Sequence, residues 1–560
     1  MKYNQYPYKR IVVEDLKEKV KIIINKFKSA SSAKEQVKLI QNYQEIQKEI
    51  QTYASIANLN FARNTKDKKA NKENQFYDRI TPEIAAIDNE FTQAINKSKF
   101  KKSLLKKFGK HYFNLIDMEL KSFDPKIVEL LKRENELINK YNSLKASAKI
   151  NFNGEIVNLT GLIPFKQDLN RKTRKKAFKA SSDFFTKHSE EFDIIFDRLV
   201  QIRNQKAKIL GFKNFVPLGY LNMNRSDYGP KEVKEYREQI IKHIVPIAEK
   251  IKEKKRKTFN YEKMFCYDTL FFKTGNPKPK GDEEHLVKQA KKMYDELSSE
   301  TGKFFNMMID EELMDLENRA GKMGGGFCTS FPSQERPYIF ANFNGTDHDV
   351  TVLTHEAGHA FQCYQSRKQP LSRYLWPTYE ACEIHSMSME FLTWDWMHLF
   401  FKEDTEKFLY KHLADSLCTL PWLAIVDHFQ HWIYENPDAT PKERKIEWIK
   451  LEKIYFPSKD YDNLEFFKNG GTWQQQGHIF FQPFYYIDYS LAQICAFQFW
   501  INMKKNKKSA WKDYVTLCKA GGSMSFLDLV KLAKIKSPFD KKVFKEVADN
   551  INNWLSTNSI

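Results

Sequence analysis

Residues 351–366 read TVLTHEAGHAFQCYQS, and the organisation of the whole chain turns on how they are understood. His355 and His359 stand one helical turn apart, so in a helix both imidazoles leave the same face and can converge on one ion. Glu356 sits beside that face, near enough to reach a water at the ion without being a ligand. Val352, Ala360 and Phe361 can pack such a helix, and Gly358 lets another backbone approach closely. Upstream, Thr346 and Asp349 fit a capping arrangement in which Thr346 accepts from the backbone N–H three residues on. Together these signals predict a helix over 347–366.

A catalytic metal of this type takes three protein ligands and keeps one position open. In metzincins the third is a histidine six places after the second, with a glycine between. Here those places hold Gln362 and Gln365, so the third ligand comes from elsewhere. The segment PTYEACEIHSMSMEFLTW (377–394) offers it. Pro377 can open a helix, and Glu380, Glu383 and Glu390 then share one face. The short connection RKQPLSRYLW (367–376) makes the two helices antiparallel neighbours. Met387, Met389, Phe391 and Trp394 argue that this face is buried, and buried carboxylates need a cation or donors. Spacing alone leaves the choice among the three glutamates open. His385 suits a hydrogen bond or an orienting role better than ligation. His428 and His431 in VDHFQHW lack an acidic partner motif and read as packing or channel-lining residues.

Outward from these helices the pattern is almost wholly helical. The first 148 residues form a helical N-terminal region, with apolar periodicity in LKEKVKIIINKFKSA (16–30) and PKIVELLKRENELINKYNSLKAS (125–147). Residues 149–560 form the larger second region. It opens on KINFNGEIVNLTGL, where Asn153-Gly154 between alternating apolar residues predicts a two-residue hairpin. Helical patterning resumes to about residue 320. Within GKMGGGFCTSFPSQERPYIFANFNG (321–345), extended segments are expected near 326–331 and 337–343. The expected fold is mainly α with a small β element just before the histidine helix.

At 560 residues, with 41% hydrophobic and 14% aromatic residues, the chain is globular, of two to four packing units. No run approaches the roughly 18 apolar residues of a membrane span, and the N-terminus lacks an apolar signal core, so a cytoplasmic protein is expected. The seven cysteines are scattered without a C-x-x-C pair, which argues against a disulfide framework. The net charge of +20 comes mostly from Lys-rich clusters interleaved with helix formers. No nucleic-acid-binding motif accompanies them, so neither nucleic acid nor a membrane is expected as a partner.

HEAGHAFQ followed by YEACEIHSMSMEF resembles the zinc centre of the thimet oligopeptidase and oligoendopeptidase F family. GGGFCTSF and PYIFANFNGTDHDVTVLTHEAGH are similar to that family's run into its active helix. HIFFQPFYYIDYSLAQICAFQFW (478–500) resembles its substrate-binding segment, and CKAGGSMSFLDLVKLAKIKSPF (518–539) its C-terminal end. The resemblance covers residues 150–560 well and is strongest to the shorter oligoendopeptidase F branch that includes Pz-peptidases. It implies a bilobed helical zincin-type metallopeptidase with a deep central channel, binding one zinc ion through His355, His359 and Glu383. Glu356 then matches the general base, and His478, Tyr486 and Tyr489 match residues that contact the substrate. Glu380 is expected to orient a ligand histidine. Gly324-Gly325-Gly326 and the adjacent strand edge are expected to receive an extended peptide. The implied activity is cleavage of internal bonds in short unfolded peptides by a monomer or weak oligomer. A zinc carboxypeptidase of related helical fold is the alternative.

Overall fold

Apolar residues at helical spacing carry the chain into helices from one end to the other. The computed structural model describes residues 1–558. Helix Val13–Ser29 shows the rule: Val13, Leu16, Val20, Ile24 and Phe27 are buried, and charged residues occupy the other face. The next helix, Ala33–Arg63, starts on a Ser32 side chain that accepts from Glu35 N–H, while the Glu35 carboxylate accepts from Ser31 N–H. Five more helices or helical turns bring the chain to Ala146. The fold is mainly helical with two small sheets, as the sequence led us to expect.

The predicted hairpin is present. Strands β1 (Ile150–Phe152) and β2 (Glu155–Val157) pair antiparallel around Asn153 at φ 54° and Gly154 at φ 90°, the positive angles that a type I′ turn requires. The second sheet combines β3 (Met314–Glu317), β4 (Phe327–Phe331) and β5 (Arg336–Phe343) in the order β3-β5-β4. Strands β4 and β5 match the two expected segments; β3, parallel to β5, was not anticipated. Its four residues are too few to show alternation, and Asp315 within it looks like a loop residue. Burial alone would raise that carboxyl; bonds from Arg319, Lys322 and Arg63 instead hold it well below the usual carboxylate range. The helical stretch expected to reach residue 320 is also interrupted. Helix Val245–Phe259 stops at Asn260 in the left-handed region, and irregular chain rich in Gly and Pro runs to Asp282.

One hydrophobic core gathers residues from most of the chain, including Ile56, Leu59 and Ala62 of the second helix. A second lies among the N-terminal helices and takes in Leu371 and Tyr374 from the connection that follows the histidine helix. Tyr374 Oη donates to the Phe108 carbonyl at 2.7 Å, and Ser372 N–H donates to Gln44 at 2.8 Å. The connection is therefore pinned to the N-terminal helices rather than left as a free loop.

Basic clusters are partly structural. In RKTRKKAFKA, Arg174 is fully buried and donates to the Tyr267 and Asp168 carbonyls, while Arg171 forks onto Asp268. None of the seven cysteines is in a disulfide, and no described helix is long and apolar enough to cross a membrane.

Candidate metal centre and active site

Strand β5 delivers the chain through Asn344–Asp347 into helix His348–Ser366, close to the expected 347–366. The cap differs from expectation. The Thr346 hydroxyl turns back to Asn344 Oδ1 at 2.6 Å, and it is the Asp349 carboxylate that accepts from Asn344 and Gly345 N–H. The anionic side chain meets more free N–H groups by folding back over the loop than the hydroxyl could meet by reaching forward.

Helix Tyr379–Leu392 packs against the histidine helix at Gly358. A Cβ on that residue would lie 2.6 Å from the His385 carbonyl oxygen and 2.7 Å from Ser386 Cα, both backbone atoms that cannot turn aside. The glycine thus sets the distance at which carboxylates of one helix meet imidazoles of the other. We expect Gly358→Ala to destabilise the protein by about 1–3 kcal/mol through overpacking, read from the denaturant midpoint. An unchanged midpoint would show that the helices separate freely.

At this contact His355 Nε2 and His359 Nε2 lie 3.2 and 3.3 Å from Glu383 Oε2. His355, His359 and Glu383 form the one group of His, Cys, Asp or Glu among the described residues whose donor atoms converge as a metal site, all within 4.8 Å. Separations of 3.2–3.3 Å are those between corners of a tetrahedron with ligand bonds of about 2.0–2.1 Å. Charge also fits. Burial disfavours a proton on His355, yet the carboxylates of Glu383 and Glu390 raise its pKa well above the ordinary value. A buried site that so demands positive charge is suited to a cation. Glu383 is held well below the usual range against its burial by the two histidines. Its Oε2 also accepts from Ser386 Oγ at 2.9 Å and its Oε1 from the Tyr485 hydroxyl.

Glu356 is buried and its Oε2 has no hydrogen-bond partner. Burial raises its pKa from the ordinary carboxylate value. It shares the wall of a cavity of about 1310 Å³ with His355, His359, Glu383, Tyr485 and Tyr489. The lining also includes Gln47, Asp88 and Glu119 of the N-terminal helices.

Glu380 does not orient a histidine, contrary to expectation. Both its oxygens are buried without a partner, and burial beside Asp488 drives its pKa well up. Glu390 has that role instead, accepting from His355 Nδ1 at 2.7 Å. Seven residues after Glu383 it returns to the same face two turns on, but Glu380, three residues before, shares that face, so spacing does not separate the two. His385 is buried against Tyr514, its ring pushed down to about 4 by burial, and its nitrogens meet no donor or acceptor. His428 meets the Tyr455 hydroxyl at 3.3 Å and His431 the Tyr220 hydroxyl at 3.0 Å; both pack, and neither lines the cavity.

In the 478–489 segment, Tyr485 and Tyr489 are on the cavity wall, and His478 and Tyr486 pack against them. The His478 ring lies 4.9 Å from Tyr486 and 6.1 Å from Tyr489, and its Nδ1 meets Gln476 at 2.9 Å. Tyr485 was missed from the sequence, although its place four residues before Tyr489 puts the two on one helical face. Phe484, just before it, is fully buried at φ 68°, a strained angle for an aromatic residue. Its N–H donates to Gln430 and its carbonyl accepts from Arg225 at 2.6 Å. Its ring fills the space where Gly219 lacks a side chain. Arg203 also donates to the Ile479 and Phe480 carbonyls, so two buried arginines hold this segment in place.

The model of Peptidase family M3 matches residues 165–549, and that of the Peptidase M3 N-terminal domain matches residues 3–123. An oligoendopeptidase F homolog of Borreliella burgdorferi is 26% identical over 385 residues, covering 66% of this chain and 63% of that protein. Oligopeptidase PepF of Bacillus subtilis is 23% identical over 413 residues, covering 70% and 59%. The chain thus spans about three-fifths of the length of these curated relatives. A solved structure of Pz peptidase A with an inhibitor superposes with a TM-score of 0.98 at 47% identity, covering 99% of both chains.

Proposed function

The chain belongs to peptidase family M3, and on that premise we propose that it is a zinc-dependent oligoendopeptidase that hydrolyses internal bonds of short, unfolded peptides. One observation carries the proposal: two imidazole nitrogens and a carboxylate oxygen converge beside an unpartnered glutamate on the wall of a large cavity. His355, His359 and Glu383 would hold the metal. Zinc bound there supplies Lewis acidity and brings the pKa of water to about 7.

The protein's own groups handle the proton and the charge. Glu356, on the cavity wall, takes a proton from the attacking water on its carboxylate and returns it to the departing amine nitrogen. Burial, which raises its pKa, brings that carboxylate nearer to the range in which it both accepts and releases a proton. Tyr489 donates its hydroxyl to the oxyanion developing on the peptide carbonyl. Tyr485 keeps Glu383 Oε1 engaged, so Oε2 faces the histidines. His478 and Tyr486 brace the two tyrosines through ring contacts. We expect Tyr489→Phe to lower kcat by about 10²–10³-fold with little change in KM. An unchanged kcat would remove Tyr489 from the oxyanion role.

Strand β4 has a sheet neighbour on one side only, and its start, with Gly326, faces the cavity. An extended peptide can add there as a further strand, its backbone supplying affinity independent of sequence. The cavity exceeds the roughly 300–1000 Å³ of small-molecule pockets, which suits a peptide of several residues. The test is a short peptide acetylated at one end and amidated at the other. Internal cleavage supports an endopeptidase. Resistance of the blocked peptide, with stepwise loss of C-terminal residues from the free one, would make the protein a carboxypeptidase.

A further inference from the structure

Behind His355 a chain of hydrogen bonds runs to a side chain that has only one way to take part in it. Trp394 Nε1–H points at His412 Nδ1 at 3.1 Å. An indole N–H can only donate, so His412 Nδ1 must accept and its proton must sit on Nε2. That Nε2–H donates to Glu390 Oε2 at 2.7 Å, and Glu390 Oε1 lies 2.7 Å from His355 Nδ1. An ionised carboxylate only accepts, so His355 carries a proton on Nδ1, and Nε2, the nitrogen on the side of His359 and Glu383, is the one left to give a lone pair to a metal. The indole sets the direction of both His412 bonds, and the charge of Glu390 sets that of the bond from His355.

The same logic fixes charge. An imidazolium has no lone pair for the indole, so His412 with Trp394 as its donor is neutral, and the negative charge of Glu390 stays available to His355. His412 and Glu390 are buried, and Phe391 and Phe408 enclose the His412 ring, with centroids at 4.9 and 5.5 Å. His412 comes from helix Thr405–Glu435, which supplies no metal ligand, so the chain also ties the centre to a third helix.

We propose that His412, locked in one tautomer by Trp394, is a positioning residue for the metal centre: through Glu390 it holds His355 in the ligating tautomer and preserves the carboxylate's charge. This rests on the zinc-site reading above. Outer partners of this kind are worth 10–100-fold in metal affinity.

The test is zinc affinity by chelator competition on the full chain, with cobalt-substituted absorption spectra alongside. His412→Phe should weaken zinc binding by about 10–100-fold and alter the cobalt spectrum. Trp394→Phe keeps the aromatic bulk and loses only the donor; it should shift both readouts in the same direction by a smaller factor. His412→Gln, whose amide N–H can still donate to Glu390, should recover most of the affinity. This rescue, and the mild Trp394 change, separate positioning from a folding defect. A wild-type protein that binds zinc, with Trp394→Phe and His412→Phe unchanged in affinity and spectrum, overturns the inference and leaves the zinc site standing. A wild-type protein that binds no zinc overturns both.

Discussion

Glu356→Gln keeps zinc bound and loses turnover, by about 10²–10⁴-fold, the range that a positioned general base contributes. The amide matches the carboxylate in size, so packing against Gly326, where a Cβ would stand 3.4 Å from Glu356 Oε1, is preserved. Glu356 is not among the three residues whose donor atoms converge, so removing its charge leaves the ligand set intact. What the amide cannot do is take a proton. Paired measurements of kcat and zinc affinity separate the roles. Retained turnover would move the base elsewhere, and lost zinc would make Glu356 part of the metal centre.

Glu383→Ala produces the opposite split: the protein loses zinc first, and activity as a consequence. Among the described residues the carboxylate is the only acidic donor aligned with both histidine Nε2 atoms. Its removal also strands the Tyr485 and Ser386 hydroxyls that donate to it. Glu390 cannot step in, because its two oxygens already face His355 Nδ1 and His412. Zinc affinity should therefore fall by more than the ~100-fold that an outer partner costs. A Glu383→Ala protein still loaded with zinc would mean that the third ligand is another residue.

The histidine helix, the two strands before it, the Asn153-Gly154 turn and the close approach at Gly358 were legible in the sequence. Each rests on local periodicity or on the one residue type that a backbone position tolerates. The choice of Glu390 over Glu380 as the partner of His355 was not. Three glutamates share a face of one helix, and what distinguishes them lies elsewhere in the chain: His355 and His412 meet Glu390, whereas Glu380 feels the charges of Asp488 and Arg225. Tyr485 was hidden for a similar reason. Its orientation follows a left-handed turn at Phe484 that no propensity suggests and that Arg225 and Gln430, far away in sequence, hold in place. Local chemistry in this chain can be read from spacing, and partnerships between helices cannot.

The most direct measurement is a zinc titration of chelator-stripped protein against an end-blocked peptide, with bound metal counted in parallel. Cleavage should be absent in the stripped protein and rise in proportion to zinc. It should level off at one ion per chain, since one converging donor group is present among the described residues. Cleavage that persists without metal, or that zinc does not restore, contradicts the account at its centre.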